Sequence, residues 1–212
     1  MGTMEMVKPY SKGSTLVLGE PQTGRTSWVI KELSGKKVLW ISFNNLGVIA
    51  DAETFAKGSK LILVNDYKAD IPTVGASSET TFTVSKDLKF DAIVLDGLNY
   101  ATGMWFTANI GARQPTQQEW GVMSNGMSEL ILKYREIAPV YCITDVEKDA
   151  EGKNQVALNR AAYQGIVGLF DKKVRTIVKD KVTPIAATKD TPASVGRTKV
   201  YEVLTGADAL NI

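Results

Sequence analysis

The spacing of apolar residues divides the chain into short buried strands that alternate with helical stretches. Continuous apolar, β-branched runs predict strands at residues 14–19, 36–43, 60–66, 90–98 and 140–145. Such runs are typical of strands that are buried on both faces, as they are in a parallel sheet. The pattern therefore favours an α/β fold with a mostly parallel sheet.

Two stretches have helical periodicity. Residues 26–35 predict a short helix that closes at Gly35, because glycine readily adopts the left-handed conformation that ends helices. Residues 117–138 predict a longer helix that stops before Pro139. We interpret its apolar stripe as core packing rather than a ligand site; the stripe consists of Trp120, Met123, Met127, Leu130, Ile131 and Tyr134.

The C-terminal part of the chain has a different pattern. Polar and apolar residues alternate at 173–181 and 198–205, which predicts an antiparallel hairpin. Residues 182–196 between them are rich in Pro, Thr, Ala and Gly, and we expect a long mobile loop there. No linker divides the 212 residues, so we expect one domain over 1–212.

Composition removes several kinds of chemistry. The chain has no histidine, which excludes Ser-His-Asp and Cys-His catalysis and argues against a transition-metal site. Its single cysteine, Cys142, allows no intrachain disulfide and lies in an apolar run, as a buried, inert thiol would. Without a signal peptide or an apolar run of ~20 residues, we expect action inside a cell and no membrane partner.

The net charge says little about binding partners, whereas the distribution of charge along the chain says more. The net charge is +2, but residues 171–200 hold eight Lys/Arg against three Asp. Two interpretations stay open for this excess: a polyanion-binding surface, or a solvated face of the hairpin.

The segment "GEPQTGRT" follows the first predicted strand and precedes a predicted helix. It matches the phosphate-loop pattern G-x-x-x-x-G-K-[ST] except that Arg25 replaces the lysine. In such loops backbone N–H groups and a helix N-terminus surround the phosphates, and the Ser/Thr hydroxyl, here of Thr26, binds Mg²⁺. We therefore predict a nucleotide site with these residues: Gly19, Glu20, Pro21, Gln22, Thr23, Gly24, Arg25, Thr26 and Ser27.

A second element is "FDAIVLDG", in which Asp96 ends an apolar strand. The carboxyl ends of strands form the ligand crevice of α/β sheets. A carboxylate there holds Mg²⁺ through water in phosphate-loop ATPases. We predict Asp96 and Thr26 as the magnesium residues, and Arg25 and Asp96 as the residues that act on the phosphates.

The order of "LVLGEPQTGRTS", "VLWISF", "FDAIVLDGLN", "QQEWGVMSNGMSELI" and "VYCITDVEKDAEGK" resembles the RecA-like P-loop ATPases. The likeness is to the small phage-encoded nucleotide-binding proteins related to single-strand annealing recombinases. It implies a RecA-like three-layer sandwich, ATP or ADP with Mg²⁺, and action on single-stranded DNA in recombination. It also implies the host cell cytoplasm as location, and it is compatible with a homo-oligomeric ring or filament.

Three features of that family's pattern are changed in this chain. Arg25 stands for the loop lysine, and Asn44 and Asn45 stand where a water-activating acid is expected. Asp145 lies near the place of a sensor of the γ-phosphate. Arginine keeps the charge but has a larger, planar head. We therefore expect nucleotide binding with weak, partner-dependent or absent ATPase activity.

The resemblance places DNA-contacting loops at residues 99–118 and 145–160. The first carries Tyr100, Trp105 and Phe106 with Arg113, a mixture that stacks bases and holds phosphates; alternatively its aromatic residues pack on the core or a neighbouring subunit. The second is not strongly basic. A competing hypothesis is a non-catalytic assembly protein on a degenerate RecA-like scaffold. A small-molecule nucleotide kinase has less support, because no Arg-rich lid is visible.

Overall fold

The chain folds around one large sheet. The computed structural model describes residues 13–44, 54–68, 70–71, 73–74, 83–84, 89–148, 150–152, 154–158, 160–185 and 194–205. The strands in these residues are β1 (Ser14–Gly19), β2 (Val38–Ser42), β3 (Lys60–Leu63), β4 (Thr73–Val74), β5 (Thr83–Val84), β6 (Ala92–Asp96), β7 (Val140–Lys148), β8 (Asn154–Val156), β9 (Lys172–Ile185) and β10 (Ser194–Thr205). The helices are α1 (Arg25–Glu32), α2 (Leu98–Ile110), α3 (Gln117–Arg135) and α4 (Arg160–Val167).

The eight-stranded sheet is mostly parallel. Its order is β10-β9-β1-β7-β6-β2-β3, with β8 paired to β7 off this path, while β4 and β5 form a separate parallel pair. Only the β9–β10 and β7–β8 pairs of the large sheet are antiparallel. The carboxyl ends of β1, β7, β6 and β2 therefore meet at one edge, where Gly19 aligns with Asp145 and Ser42 with Asp96.

Helices cover both faces of the sheet. Alternate residues of a strand such as β1 therefore belong to two separate cores, one on each face. Val17 belongs to a cluster with Val29 and Leu33 from α1 and its end. Leu16 and Leu18 belong to the larger cluster, which contains the buried residues of α2 and α3. This mixed α/β arrangement is compatible with a three-layer fold.

The predicted strands and the long helix are confirmed, with shifts of a few residues at their ends. Of the predicted stripe on α3, Met123, Met127, Ile131 and Tyr134 are buried, and the other two members pack against the same core. Helix α1 ends before Gly35, whose φ of 72° serves the turn that follows. Cys142 is buried, and burial raises the pKa of its thiol.

Two loop predictions are wrong in part. The predicted loop over 182–196 is partly strand, because β10 pairs with β9 along its whole length and Ile185 aligns with Ser194; residues 186–193 lie outside the described part. Residues 99–110, most of the first expected DNA-contacting loop, belong to α2. No helix in the described residues has the length and apolar character needed to cross a membrane.

Candidate phosphate-binding site

The predicted phosphate loop joins β1 to α1 at the carboxyl edge of the sheet. Gly24 precedes the helix with φ 84°, and Gln22 also has a positive φ of 65°. Glycine adopts this left-handed conformation without steric cost. The first intrahelical bond runs from Trp28 N to Gly24 O at 2.8 Å. The N–H groups of residues 25–27 therefore have no acceptor within the helix and form its positive N-terminus.

The first glycine of the loop has a packing role. A Cβ at Gly19 would lie 2.5 Å from both Thr23 Oγ1 and Thr176 Oγ1, which is too close for any side chain. These two hydroxyl oxygens lie 2.8 Å apart, and Thr23 also donates to Glu20 O at 2.8 Å. The loop is thus fastened to β9 by a contact that only glycine at position 19 permits.

The loop borders a cavity of about 320 Å³. Its lining combines Arg25, Thr26 and Ser27 from the start of α1 with residues from other elements, namely Asn44, Asp96, Tyr100 and Asp145. A second cavity of about 340 Å³ adjoins it and shares Pro21 and Asp145. The loop and Asp96 are 69 to 77 positions apart in the sequence. In the structure they line the same cavity.

Asp96 is the most buried acid of this cavity, with 4% of its surface exposed. Its Oδ1 is buried and has no hydrogen-bond partner among the described residues. Burial raises the pKa of Asp96 from 3.8 to about 6, and the Asp145 carboxylate adds to the rise. The Arg25 guanidinium and, less strongly, the Trp40 side chain oppose it. An incoming cation would stabilise this carboxylate in its ionised form.

The donor set fits a magnesium ion only together with phosphates. Asp96 and the Thr26 hydroxyl line the same cavity, but the described residues contain no group of three or more His, Cys, Asp or Glu that could hold a metal. Magnesium is commonly held by one or two carboxylates plus substrate phosphates and waters. The site therefore suits a metal–polyphosphate complex and not a free-standing metal.

Arg25 has an acidic partner that the motif did not reveal. Its guanidinium forms an ion pair with the Asp145 carboxylate, and the two side chains are 14% and 18% exposed. Asn99 Nδ2 donates to Asp145 Oδ2 at 2.9 Å and holds the carboxylate in place. The sequence placed Asp145 near a γ-phosphate sensor; the structure brings it to the loop cation itself.

Asn44 also reaches the cavity. Its Oδ1 and backbone oxygen both accept from Ser42 Oγ at 2.9 Å, which orients the side chain at the end of β2. Asn45 lies outside the described residues. At this edge the position expected for a water-activating acid is therefore occupied by an amide.

The predicted DNA-contacting residues are not gathered on an open loop. Phe106 is 9% exposed and packs on Trp120, with ring centroids 4.3 Å apart. Trp105 meets Phe106 edge-on and is partly buried against the core. Arg113 pairs with Glu119 at the start of α3. Phe106 and Trp105 therefore pack on the core, whereas Tyr100 on the same helix is 44% exposed.

The second expected DNA loop is also partly regular. Residues 140–148 form β7, which continues into an antiparallel pairing with β8, so that Val146 aligns with Val156. The segment after Asp145 is therefore a hairpin arm in the described residues rather than an irregular loop.

Comparison with known proteins adds no family. No family model matches the chain, and no curated protein matches its sequence.

Proposed function

We propose that the protein binds the magnesium complex of a nucleoside polyphosphate, ATP or ADP, between residues 19–27 and Asp96. The observation that carries the proposal is the cavity that the start of α1 shares with Asp96, whose buried Oδ1 has no partner among the described residues. The helix N-terminus supplies N–H donors for phosphate oxygens. The Thr26 hydroxyl and the Asp96 carboxylate supply oxygen ligands for the metal.

The sheet supports a RecA-like version of this fold. Its mostly parallel order and the antiparallel β9–β10 hairpin agree with what the resemblance implies. Ligands of open α/β sheets bind at the carboxyl ends of the strands, which is where the cavity lies.

We also propose that this site hydrolyses ATP weakly or not at all. Arg25 is engaged by Asp145, and Asn44 offers an amide that can hydrogen-bond a water molecule but cannot accept its proton. Phosphoryl transfer needs the cation, the metal and the oriented nucleophile together. We expect phosphate release near background for the unaltered protein and for Arg25→Lys, and an increase only when Asn44→Glu is added to Arg25→Lys.

Isothermal titration with ADP, with and without Mg²⁺, tests binding. Thr26→Val keeps the shape of the side chain and removes the hydroxyl, so it should weaken Mg·ADP binding about tenfold, or 1.4 kcal/mol, and leave metal-free binding unchanged. Thr205→Val, at the end of β10 and lining none of these cavities, is the matched control. Absence of heat at millimolar Mg·ADP with folded protein would refute the proposal and favour the assembly protein.

Single-stranded DNA remains the proposed polymer because of the resemblance to annealing recombinases. With Phe106 in the core and Trp105 partly buried against it, these two residues offer little stacking surface, so the proposal does not depend on them. Gel shifts at low salt with and without Mg·ADP test it, and affinity should fall as salt increases.

A further inference from the structure

A second, larger groove lies beside the phosphate-loop cavity. It has a volume of about 830 Å³, within the range of pockets that hold drug-sized ligands. The ends of β2 and β3 form one wall and the outer side of α2 forms the other. We call it the α2 groove; it is lined by Phe43, Asn44, Val64, Asn65, Asp66, Tyr67, Asn99, Tyr100, Gly103, Met104, Thr107 and Ala108.

The lining selects against phosphate. Among the residues that the structure describes, the lining contains one carboxylate, that of Asp66, and no lysine or arginine. An anionic group would therefore find no opposite charge in the α2 groove, while the helix N-terminus and Arg25 lie in the neighbouring cavity. The ligand that fits here is uncharged, or it directs its charged end toward the phosphate loop.

The same lining favours a flat ring with polar edges. Phe43 and Tyr67 stack with centroids 6.5 Å apart and planes inclined by 28°. Tyr100 is 44% exposed on the opposite wall. Aromatic faces stack on nucleobases without regard to their sequence. Asn44, Asn65 and Asn99 add amide groups, which pair well with the donor and acceptor edges of bases.

The two cavities touch. Asn44 and Tyr100 line both of them, so a ligand in the α2 groove would border whatever lies at the phosphate loop. Asn99 lines the α2 groove and also donates to Asp145, the partner of Arg25. The groove and the loop cavity are thus direct neighbours that share part of their lining.

We propose that the α2 groove binds a nucleobase, carried by a free nucleoside or by single-stranded nucleic acid, as a ligand separate from the loop nucleotide. This goes beyond the proposed function, because the groove binds the base whether or not the loop is filled. The contacts are stacking on Tyr67 and Tyr100, which lie on the two walls of the groove, and hydrogen bonds with the asparagine amides.

Gly103 gives a direct way to fill the groove. It lies on the exposed side of α2, and a Cβ built there has no heavy atom within 4 Å. Gly103→Leu would therefore project into the open groove, and leucine favours a helix more than glycine does. Gly121→Leu is a matched control, since Gly121 is exposed on α3, has the same free space and does not line the groove.

Ligand-observed saturation-transfer NMR with thymidine tests the proposal. We expect transfer with the unaltered protein and Gly121→Leu, at least a tenfold weaker affinity for Gly103→Leu, and persistence of the signal at saturating Mg·ADP. Equal affinity for Gly103→Leu, no transfer at millimolar thymidine, or displacement by Mg·ADP would overturn it.

Two further experiments identify the source of the base and distinguish the α2 groove from the loop site. A short oligothymidylate that displaces thymidine from the unaltered protein, and binds Gly103→Leu more weakly, indicates single-stranded nucleic acid; displacement only by other nucleosides indicates a free nucleoside. Calorimetry with Mg·ADP on Gly103→Leu should give unchanged affinity. Loss of Mg·ADP binding there would overturn the separation of the sites, whereas no Mg·ADP binding by any variant refutes the loop proposal alone.

Discussion

Asp145 reduces the positive charge that the loop would offer to a nucleotide. Its carboxylate neutralises Arg25, and the nearby Asp96 adds a second acid to the same cavity. A phosphate loop attracts anions through its cation and its helix N-terminus. Here the cation is already engaged, so an incoming phosphate has to compete with Asp145 for it.

Replacement of Asp145 by asparagine should therefore strengthen nucleotide binding. We expect Asp145→Asn to bind Mg·ADP about tenfold more tightly in calorimetry, because Arg25 is then available to phosphate. Glu147→Gln removes the same charge two residues further along β7, from an exposed side chain, and should change the affinity little. A weaker affinity for Asp145→Asn would show that Asp145 assists binding, for example by holding the metal.

The raised pKa of Asp96 predicts how stability depends on pH. Its pKa is about 6 in the folded chain against an ordinary value of 3.8, so between these values the folded protein binds a proton that the unfolded chain has released. The contribution of Asp96 to the free energy of unfolding therefore falls as pH rises from about 4 to about 6, by up to about 3 kcal/mol.

Urea unfolding of the nucleotide-free protein between pH 4 and pH 7 measures this effect. Asp96→Asn cannot ionise, so its stability should exceed that of the unaltered protein increasingly as pH rises, and the difference should level off above about pH 6. Asp91→Asn, with an exposed carboxylate just before the same strand, serves as control. Parallel curves for Asp96→Asn and the unaltered protein would contradict the raised pKa.

At the scale of elements, patterns with a clear period predicted the structure and mixed patterns did not. The continuous apolar runs of β1, β6 and β7 and the alternation in β9 and β10 are found where expected. Helix α2 was missed because its apolar residues surround it without forming a stripe, and because Gly97 and Gly103 suggest a loop. The ends of β9 and β10 around Pro184 were not predicted, because they are formed by backbone pairing that the pattern of side chains does not show.

The candidate site, too, could be predicted from the sequence only in part. The spacing of Gly19 to Ser27 and the strand-end position of Asp96 were enough to place both at one edge. The partners of these residues come from far along the chain: Asp145 for Arg25, and Thr176 for Thr23. Such contacts depend on which strands are neighbours, and a single sequence does not carry that order.

The start of α3 shows what a local signal contributes. Thr116 and Glu119 form a capping box, in which Thr116 Oγ1 accepts from Glu119 N and the Glu119 carboxylate accepts from Thr116 N. Thr116→Ala should lower the free energy of unfolding by about 1 kcal/mol in urea denaturation at pH 7.

A threonine in a helix interior is the matched control for that measurement. Thr107 is exposed on α2, and its hydroxyl only donates back to Gly103 O within the helix, so Thr107→Ala should be nearly neutral. An equal loss for both variants would mean that the cap contributes nothing specific to α3.

At the scale of the whole molecule, the carboxyl edge of the sheet gathers three adjoining cavities. The phosphate-loop cavity shares Asn44 and Tyr100 with the α2 groove, and Pro21 and Asp145 with the third cavity. The parallel order of β1, β7, β6 and β2 produces this arrangement, because it brings four strand ends to one side. Our account is that this edge holds the polyphosphate at the loop and a base in the groove.

The most direct test of the central claim is the response of backbone amides to Mg·ADP in ¹H–¹⁵N correlation spectra. We predict that the largest shifts fall on the amides of residues 19–27, above all 24–27, with smaller ones at Asp96 and Asp145. Shifts concentrated in the α2 groove, or none at millimolar Mg·ADP in the folded protein, would contradict the assignment of this loop as the phosphate site.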